Sequence, residues 1–123
     1  MKKVMLFFVI AIFASCSNMN SKLENSLSKE IGKEPSKSEI IGNDKKSERF
    51  TWVDVSLGLS SSLKNTIDKE FGSLPKKEDN FWIKETQHQF WSYENTEYKL
   101  ELSYQINNSK PNTMIVQLYI TTK

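Results

Sequence analysis

The sequence predicts an α+β fold: one helix packed on a three- to four-stranded antiparallel sheet (a meander), preceded by a signal peptide and a disordered tether. The aromatic residues that follow the N-terminal apolar run all lie between Phe50 and Tyr119, so the core is expected there. Within that part, apolar residues recur at every fourth position in one segment and at every second position in others, as in helices and strands. We therefore expect a signal peptide at 1–15, a flexible linker headed by Cys16 at 16–48, and a small α+β domain at 49–123.

The N-terminus has the pattern of a bacterial lipoprotein signal. Two lysines precede the apolar run Val4–Ala14, which has the length of a secretory signal but falls short of the about 20 residues that a membrane-spanning helix needs. The run ends in Phe13-Ala14-Ser15-Cys16, which resembles a lipobox. Cys16 is the one cysteine of the chain and cannot form an internal disulfide. We therefore expect Cys16 to carry the lipid, palmitate included; an ordinary cleaved signal or a short apolar helix of a soluble protein are the alternatives.

Removal of the signal peptide before Cys16 would change the net charge of the chain, and the residue after Cys16 bears on its location. Lys2 and Lys3 would leave with the signal, so 15 of the 17 basic residues remain against 15 acidic ones. A neutral balance argues against nucleic-acid binding, which needs a basic patch or stripe. Ser17 is similar to the residue that follows the lipidated cysteine in outer-membrane lipoproteins, which implies a lipid-anchored protein of the cell envelope at the outer membrane.

The segment from Ser17 to Glu48 reads as a tether. It has no aromatic residue and is rich in Lys, Glu and Ser, a composition that buries too little apolar surface to offset the entropy of ordering. Leu23, Leu27 and Ile31 recur every four residues and allow a transient helix over about 21–31. Docking of that stripe on a partner is the alternative to a solvated linker.

The domain begins with a strand and a helix. Val53, Val55, Leu57 and Leu59 alternate with small or polar residues, which indicates a half-buried strand or an irregular lead-in. A helix over 61–71 is predicted by apolar residues four apart, with serine N-cap candidates before it and Gly72 and Pro75 after it. The stripe consists of Leu63, Ile67 and Phe71.

Strands joined by short turns follow a charged loop at 76–80. Strand-like sequence runs from Phe81 to Tyr93, and residues 94–97 read as a hairpin turn. Alternation is clearest over Tyr98–Ile106 and returns over Met114–Ile120 after an Asn-rich turn, which predicts two strands of an antiparallel sheet covered on one face.

Four motifs together resemble the SmpA/OmlA family and the wider group of β-lactamase-inhibitor-protein-like modules over about residues 50–106. They are Gly58-Leu59-Ser60 at a helix start, Phe71-Gly72-Ser73-Leu74-Pro75 at its end, the aromatic strand Trp91-Ser92-Tyr93, and the amphipathic strand Tyr98–Ile106. The resemblance implies a helical layer on a three-stranded antiparallel sheet and a role in binding other proteins, as in the assembly of outer-membrane β-barrels, or peptidoglycan-related partners.

No residue pattern points to catalysis, a metal or a cofactor. His88 is the only histidine and has no second ligand nearby, and no nucleophile or phosphate-binding motif is present. Trp82, Trp91 and Tyr93 are candidate partner-binding residues, because Trp and Tyr are enriched at binding hot spots, although the same residues could build the core. We expect a non-catalytic protein-interaction module whose partner is another envelope protein. The alternatives are an inhibitor or immunity-type protein, a carbohydrate- or peptidoglycan-binding module and a small envelope enzyme.

Overall fold

The computed structural model describes residues 19–123, which form two helices and a six-stranded antiparallel sheet. Helix α1 is Met19–Ile31 and helix α2 is Ser60–Phe71, preceded by the 3-10 turn Leu57–Leu59. The strands are β1 (Lys37–Ile41), β2 (Ser47–Ser56), β3 (Lys77–Ile83), β4 (Thr86–Glu94), β5 (Tyr98–Asn107) and β6 (Thr113–Thr122). Their spatial order is β1-β2-β6-β5-β4-β3, so β1 and β3 are the edge strands.

The predicted fold class is therefore wrong in its helix count, its strand count and its tether. The segment predicted as a disordered tether forms α1, β1 and the start of β2, because Leu23 and Leu27 have the core to pack against and are fully buried. Lys77–Asn80, predicted as part of a loop, belongs to β3. Strand β2, which contains the first strand predicted from the sequence, pairs with β6 and with β1, so the strand order is not that of a simple meander.

The core lies between the two helices and one face of the sheet. The buried stripe Leu63, Ile67 and Phe71 of α2 covers this face, as the sequence predicts, and α1 lies antiparallel beside it. At one end the Ser62 hydroxyl donates to Glu30 Oε2 at 2.6 Å, and at the other Lys22 Nζ lies 3.5 Å from Glu70 Oε2. The sheet residues that complete the core are Phe50, Trp52, Val55, Tyr93, Leu100, Leu102, Tyr104, Met114, Val116, Leu118 and Ile120. The opposite face of the sheet, here called the open face, is not covered by either helix.

The structure contains an internal duplication of helix, glycine turn and hairpin. Gly32 and Gly72 end the two helices with φ of 91° and 85°, a left-handed conformation that glycine adopts without strain. Each glycine N–H donates to the carbonyl four residues earlier, at 2.8 and 3.0 Å, and a proline follows three residues after each glycine. The units α1-β1-β2 and α2-β3-β4 thus place their hairpins on opposite sides of the central pair β6-β5.

Among residues 19–123, no helix is long and apolar enough to span a membrane.

Candidate interaction surface

The edge strand β3 is exposed along its whole length and ends in three consecutive large apolar residues. Trp82 and Ile83 keep 53% and 55% of their surface exposed, and Phe81 keeps 39%. A run of three exposed apolar residues is unusual in a soluble domain and commonly marks a binding site. We call Phe81, Trp82 and Ile83 the apolar end of β3.

The backbone of this strand has unpaired groups on its outer side. The hydrogen bonds Asn95 N–H to Tyr98 O and Asn108 N–H to Glu85 O extend the β4–β5 ladder at its two ends. Antiparallel ladders alternate, so the odd-numbered residues of β4 bond to β5 and the even-numbered ones bond to β3. In the β3–β4 register, even positions of β4 face odd positions of β3. The backbone N–H and C=O groups of Glu78, Asn80 and Trp82 therefore point outward, where a further strand could pair with them.

The side chains of the apolar end lie on both faces of the sheet. Phe81 lies on the open face, where its ring stacks on His88 with centroids 5.1 Å apart and planes 6° apart, and meets Phe90 edge-on at 6.1 Å. Trp82 lies on the helix side, opposite Gln87 of β4. A strand added at this edge would therefore lie beside apolar side chains on both faces of the sheet.

The other half of β3 is charged and partly closed by its own side chains. Asp79 Oδ1 accepts a hydrogen bond from the outward N–H of Asn80 at 2.8 Å, and Glu78 Oε2 accepts one from Trp91 Nε1 at 3.1 Å. Charged side chains on an edge strand discourage indiscriminate pairing. Strand pairing is therefore disfavoured over residues 77–79 of the edge and is not disfavoured over the apolar end.

The three candidate binding residues occupy three different environments. Trp82 is exposed, whereas Trp91 is half-buried against the Tyr104 ring, with centroids 5.0 Å apart. Tyr93 is buried in the core and packs edge-on against Phe71 at 5.6 Å. Only Trp82 of the three is available at the surface over most of its side chain, and Cys16 lies outside the described residues.

The two tyrosines of the core, Tyr93 and Tyr104, have hydroxyls that donate hydrogen bonds to residues of α2. The Tyr93 hydroxyl donates to Asp68 Oδ1 at 2.5 Å, and Lys64 Nζ lies 2.7 Å from Asp68 Oδ2. Burial, followed by this hydrogen bond to a carboxylate, raises the pKa of Tyr93 far above its usual value. Burial likewise raises the pKa of Tyr104, whose hydroxyl donates to the Ser60 carbonyl at 2.5 Å. Both hydroxyls therefore stay protonated, and their hydrogen bonds connect the sheet to α2.

Other features of the described residues offer less to a ligand. His88 is engaged in the stack with Phe81, and residues 19–123 contain no group of three or more His, Cys, Asp or Glu side chains placed to hold a metal ion. A groove of about 370 Å³ beside the β4–β5 hairpin is lined by charges of both signs, among them Lys77, Lys99 and Glu101. These mixed charges select no single class of ligand.

Residue type identifies Trp82 as a candidate for partner binding but not its neighbours Phe81 and Ile83. An apolar run flanked by charged residues suits an edge strand. The run Phe81-Trp82-Ile83, which lies between Lys77-Glu78-Asp79-Asn80 and Lys84-Glu85, is therefore a signal for the exposed position of all three residues. The sequence predicts one strand-like stretch from Phe81 to Tyr93, and this prediction is wrong because the chain reverses at Lys84, whose φ is 54°.

Comparison with protein-family models, with curated proteins and with solved structures finds no significant match to this chain. The likeness of residues 50–106 to the SmpA/OmlA family stays a prediction, and the observed sheet has six strands where that likeness implies three.

Proposed function

We propose that this chain is a lipid-anchored cell-envelope lipoprotein whose domain is a non-catalytic protein-interaction module, and that it binds an extended segment of a protein partner along β3. The observation that carries the proposal is the apolar end of β3, where exposed aromatic and aliphatic side chains coincide with outward backbone groups. Addition of a strand to a sheet edge is a common mode of peptide recognition, in which backbone hydrogen bonds supply affinity and side-chain contacts supply selectivity.

Lipid attachment at Cys16 would hold this module close to the membrane. Helix α1 begins at Met19, three residues after Cys16, and no chain spans more than about 3.6 Å per residue. The start of α1 would then lie within about 11 Å of the lipidated residue. The proposed anchor therefore limits the module to partners at the membrane surface, in contrast to the long tether that the sequence suggested.

The partner is proposed to be a protein and not a sugar. Sugar-binding surfaces usually present aromatic side chains side by side. Here Trp52 is buried and Trp91 is half-buried. Trp82 faces Gln87, which lies four residues before Trp91 on β4, so the two tryptophans are not adjacent. The apolar end also offers hydrogen-bonding backbone that a peptide strand can complement and a sugar cannot match along its length.

The proposal is tested by photo-crosslinking in the native envelope. A photoreactive side chain at Trp82 should yield crosslinked protein, whereas the same side chain at Ile40, an exposed apolar residue on the opposite edge strand, should yield little. Equal yields at the two positions, or none at Trp82, would overturn the assignment of this surface. Crosslinks to glycan alone would favour the carbohydrate alternative.

A substitution gives the second arm of the test. Trp82→Ala removes a largely exposed side chain, so folding should be retained while a crosslink from a probe at Ile83 is lost. Leu74→Ala is the matched control, because Leu74 is an exposed apolar residue in the loop before β3 and outside the apolar end. Loss of crosslinking in both variants would point to a general effect on the domain.

A further inference from the structure

We propose that one end of the domain rests on the membrane surface, where its lysines contact anionic phospholipid headgroups and Leu74 inserts among them. This inference rests on the proposed function, because it takes the lipid at Cys16 as the anchor. We call this end of the domain the anchored end. It consists of the start of α1, the loops 42–46, 72–76 and 95–97, and Lys123.

Backbone hydrogen bonds show that three of these segments are neighbours. The Thr122 N–H donates to the Lys46 carbonyl at 2.9 Å, and the Lys123 N–H donates to the Glu97 carbonyl at 2.8 Å. The β1–β2 turn, the β4–β5 turn and the end of β6 therefore lie side by side.

Side chains place the two helices at the same end. Lys22 Nζ, near the start of α1, lies 3.5 Å from Glu70 Oε2, two residues before the loop 72–76. Asn20 Nδ2 donates to Glu48 Oε1 at 2.7 Å, so the start of α1 also lies beside the start of β2. The residue nearest to Cys16 and the loop that carries Leu74 are thus part of one end of the domain.

The short connection to Cys16 limits which end of the domain can reach the bilayer. Three residues place Met19 within about 11 Å of the lipidated cysteine. Helix α1 has 13 residues and is about 20 Å long, at about 1.5 Å per residue. If the opposite end rested on the bilayer, Met19 would lie about 20 Å or more above it, which is further than the connection reaches. The opposite end is therefore excluded as the membrane-facing end.

The anchored end carries exposed lysines that can contact headgroup phosphates. Lys45, Lys46 and Lys76 are exposed, and none of them forms an ion pair with an acidic side chain of residues 19–123. The acidic residues of the same loops are Asp44 and Glu97, and Asp44 Oδ1 accepts the Lys46 backbone N–H at 3.1 Å. Lysines close to an anionic membrane surface are attracted to it, and this attraction falls off within a Debye length.

Leu74 provides an apolar contact beside these lysines. Its side chain is 73% exposed, in a loop between the left-handed Gly72 and Pro75. An apolar side chain at a membrane surface can be buried about 5–10 Å deep at the boundary of headgroups and acyl chains, while neighbouring lysines stay at the phosphates. Since the lipid at Cys16 supplies the attachment, Leu74 sets the orientation of the domain and is not needed for membrane retention.

The internal duplication shows that the turn itself does not require a leucine. The equivalent turn after α1 has the same glycine and proline, but it has Glu34 and Ser36 where the turn after α2 has Leu74 and Lys76. Its lysine, Lys33, donates to a backbone carbonyl of β2 at 2.6 Å. That turn lies at the opposite end of the domain because the two helices are antiparallel. The two turns thus differ as expected if only one of them faces a membrane.

This orientation leaves the proposed binding edge accessible. Strand β3 begins at the anchored end with Lys77, and Ile83 is six residues further along, or about 20 Å at about 3.3 Å per residue. The apolar end of β3 is therefore directed away from the bilayer, where a protein partner can reach it.

Photo-crosslinking to lipid tests the contact. The full lipidated chain, carrying a photoreactive side chain at residue 74, is reconstituted in vesicles of phosphatidylcholine and phosphatidylglycerol at about 2:1. The matched control carries the same side chain at residue 34, the equivalent position of the other turn. We expect residue 74 to yield crosslinked phospholipid at least about tenfold more than residue 34, because only the anchored end reaches the headgroups.

Charge reversal tests the role of the lysines. Glutamate at all three exposed positions of the anchored end should lower the lipid crosslinks from residue 74 at least about fivefold in these vesicles, and should not change them in pure phosphatidylcholine. The variant is Lys45→Glu/Lys46→Glu/Lys76→Glu. The same number of exposed lysines towards the opposite end, reversed as Lys29→Glu/Lys84→Glu/Lys110→Glu, is the control and should have little effect. Unchanged far-ultraviolet circular dichroism shows that each variant remains folded.

Each outcome decides the inference. Equal yields at residues 74 and 34, no lipid at residue 74, crosslinks from residue 74 to protein alone, or equal losses in the two charge-reversed chains would overturn it. If residue 74 yields no lipid while the Trp82 probe still captures a protein in the envelope, the proposed function stands and only the orientation is wrong. If the chain recovered from membranes carries no lipid at Cys16, the anchor and the orientation are both wrong.

Discussion

Truncation of Leu27 in α1 measures whether the N-terminal segment belongs to the domain. Leu27 is fully buried between α1 and the rest of the core. Leu27→Ala removes apolar atoms and leaves a cavity, a change that costs about 2–5 kcal/mol at a buried site. A domain of this size has a free energy of unfolding of about 5–15 kcal/mol, so the loss would be a large fraction of the total. At about 4 °C or more per kcal/mol, the melting temperature should fall by about 8 °C or more.

Calorimetry or circular dichroism checks this value against two matched substitutions. Ile67→Ala removes the side chain that occupies the corresponding place in α2 and should cost a similar amount, whereas Leu74→Ala, at a residue 73% exposed, should change the melting temperature little. A melting temperature for Leu27→Ala within about 2 °C of wild type would refute the inclusion of α1 in the core and restore the tether.

Three further predictions concern turns, pH and the anchor. Gly32→Ala and Gly72→Ala should each cost about 1 kcal/mol in chemical denaturation, because alanine disfavours positive φ while its added Cβ would meet no atom within 4 Å; no cost at Gly32 would contradict an ordered turn there. Stability should fall as pH rises above about 10, since the unfolded state then releases a proton that Tyr93 keeps in the folded state, and Tyr93→Phe should flatten this decline in pH-dependent denaturation. Cys16→Ser should abolish palmitate labelling and membrane retention, and a variant that is still labelled would disprove the lipid site.

Elements with a strong apolar period were predictable from the sequence. The helix expected over 61–71 is present as Ser60–Phe71, and the strand expected over Tyr98–Ile106 is present as Tyr98–Asn107. In both, apolar residues at a single period define a face, and Gly72 or a turn defines an end. Local pattern and tertiary packing agree in these elements.

The ordered structure of residues 19–48 is not predictable from the local sequence because its elements bury few residues. Helix α1 contributes two large apolar side chains to the buried core, and β1 is five residues long with no buried residue. Composition alone cannot distinguish such elements from a solvated linker, since their order depends on contacts with residues far along the chain. The 40-residue repeat is the signal that could have revealed them, because Leu23, Leu27, Gly32 and Pro35 recur as Leu63, Ile67, Gly72 and Pro75.

The candidate site was only partly predictable for a related reason. Trp82 could be selected by residue type, but which of the aromatics are exposed depends on strand order. The sheet places β3 at an edge and β4 inside, so Trp82 stays exposed while Tyr93 is buried. Pairing of β2 with β6, across about 60 residues of sequence, fixes that order, and no local pattern encodes it.

Amide hydrogen exchange at Trp82 tests most directly whether the outer edge of β3 binds a strand. The Trp82 N–H points outward and should exchange rapidly in dilute protein, as should the N–H of Ile40, which points outward from the opposite edge strand β1. In native envelope membranes, we predict that exchange at Trp82 slows at least about tenfold, the effect of a hydrogen bond to an added strand, while exchange at Ile40 does not change. Unchanged exchange at Trp82, or equal slowing at both residues, would contradict the assignment of β3 as the binding edge.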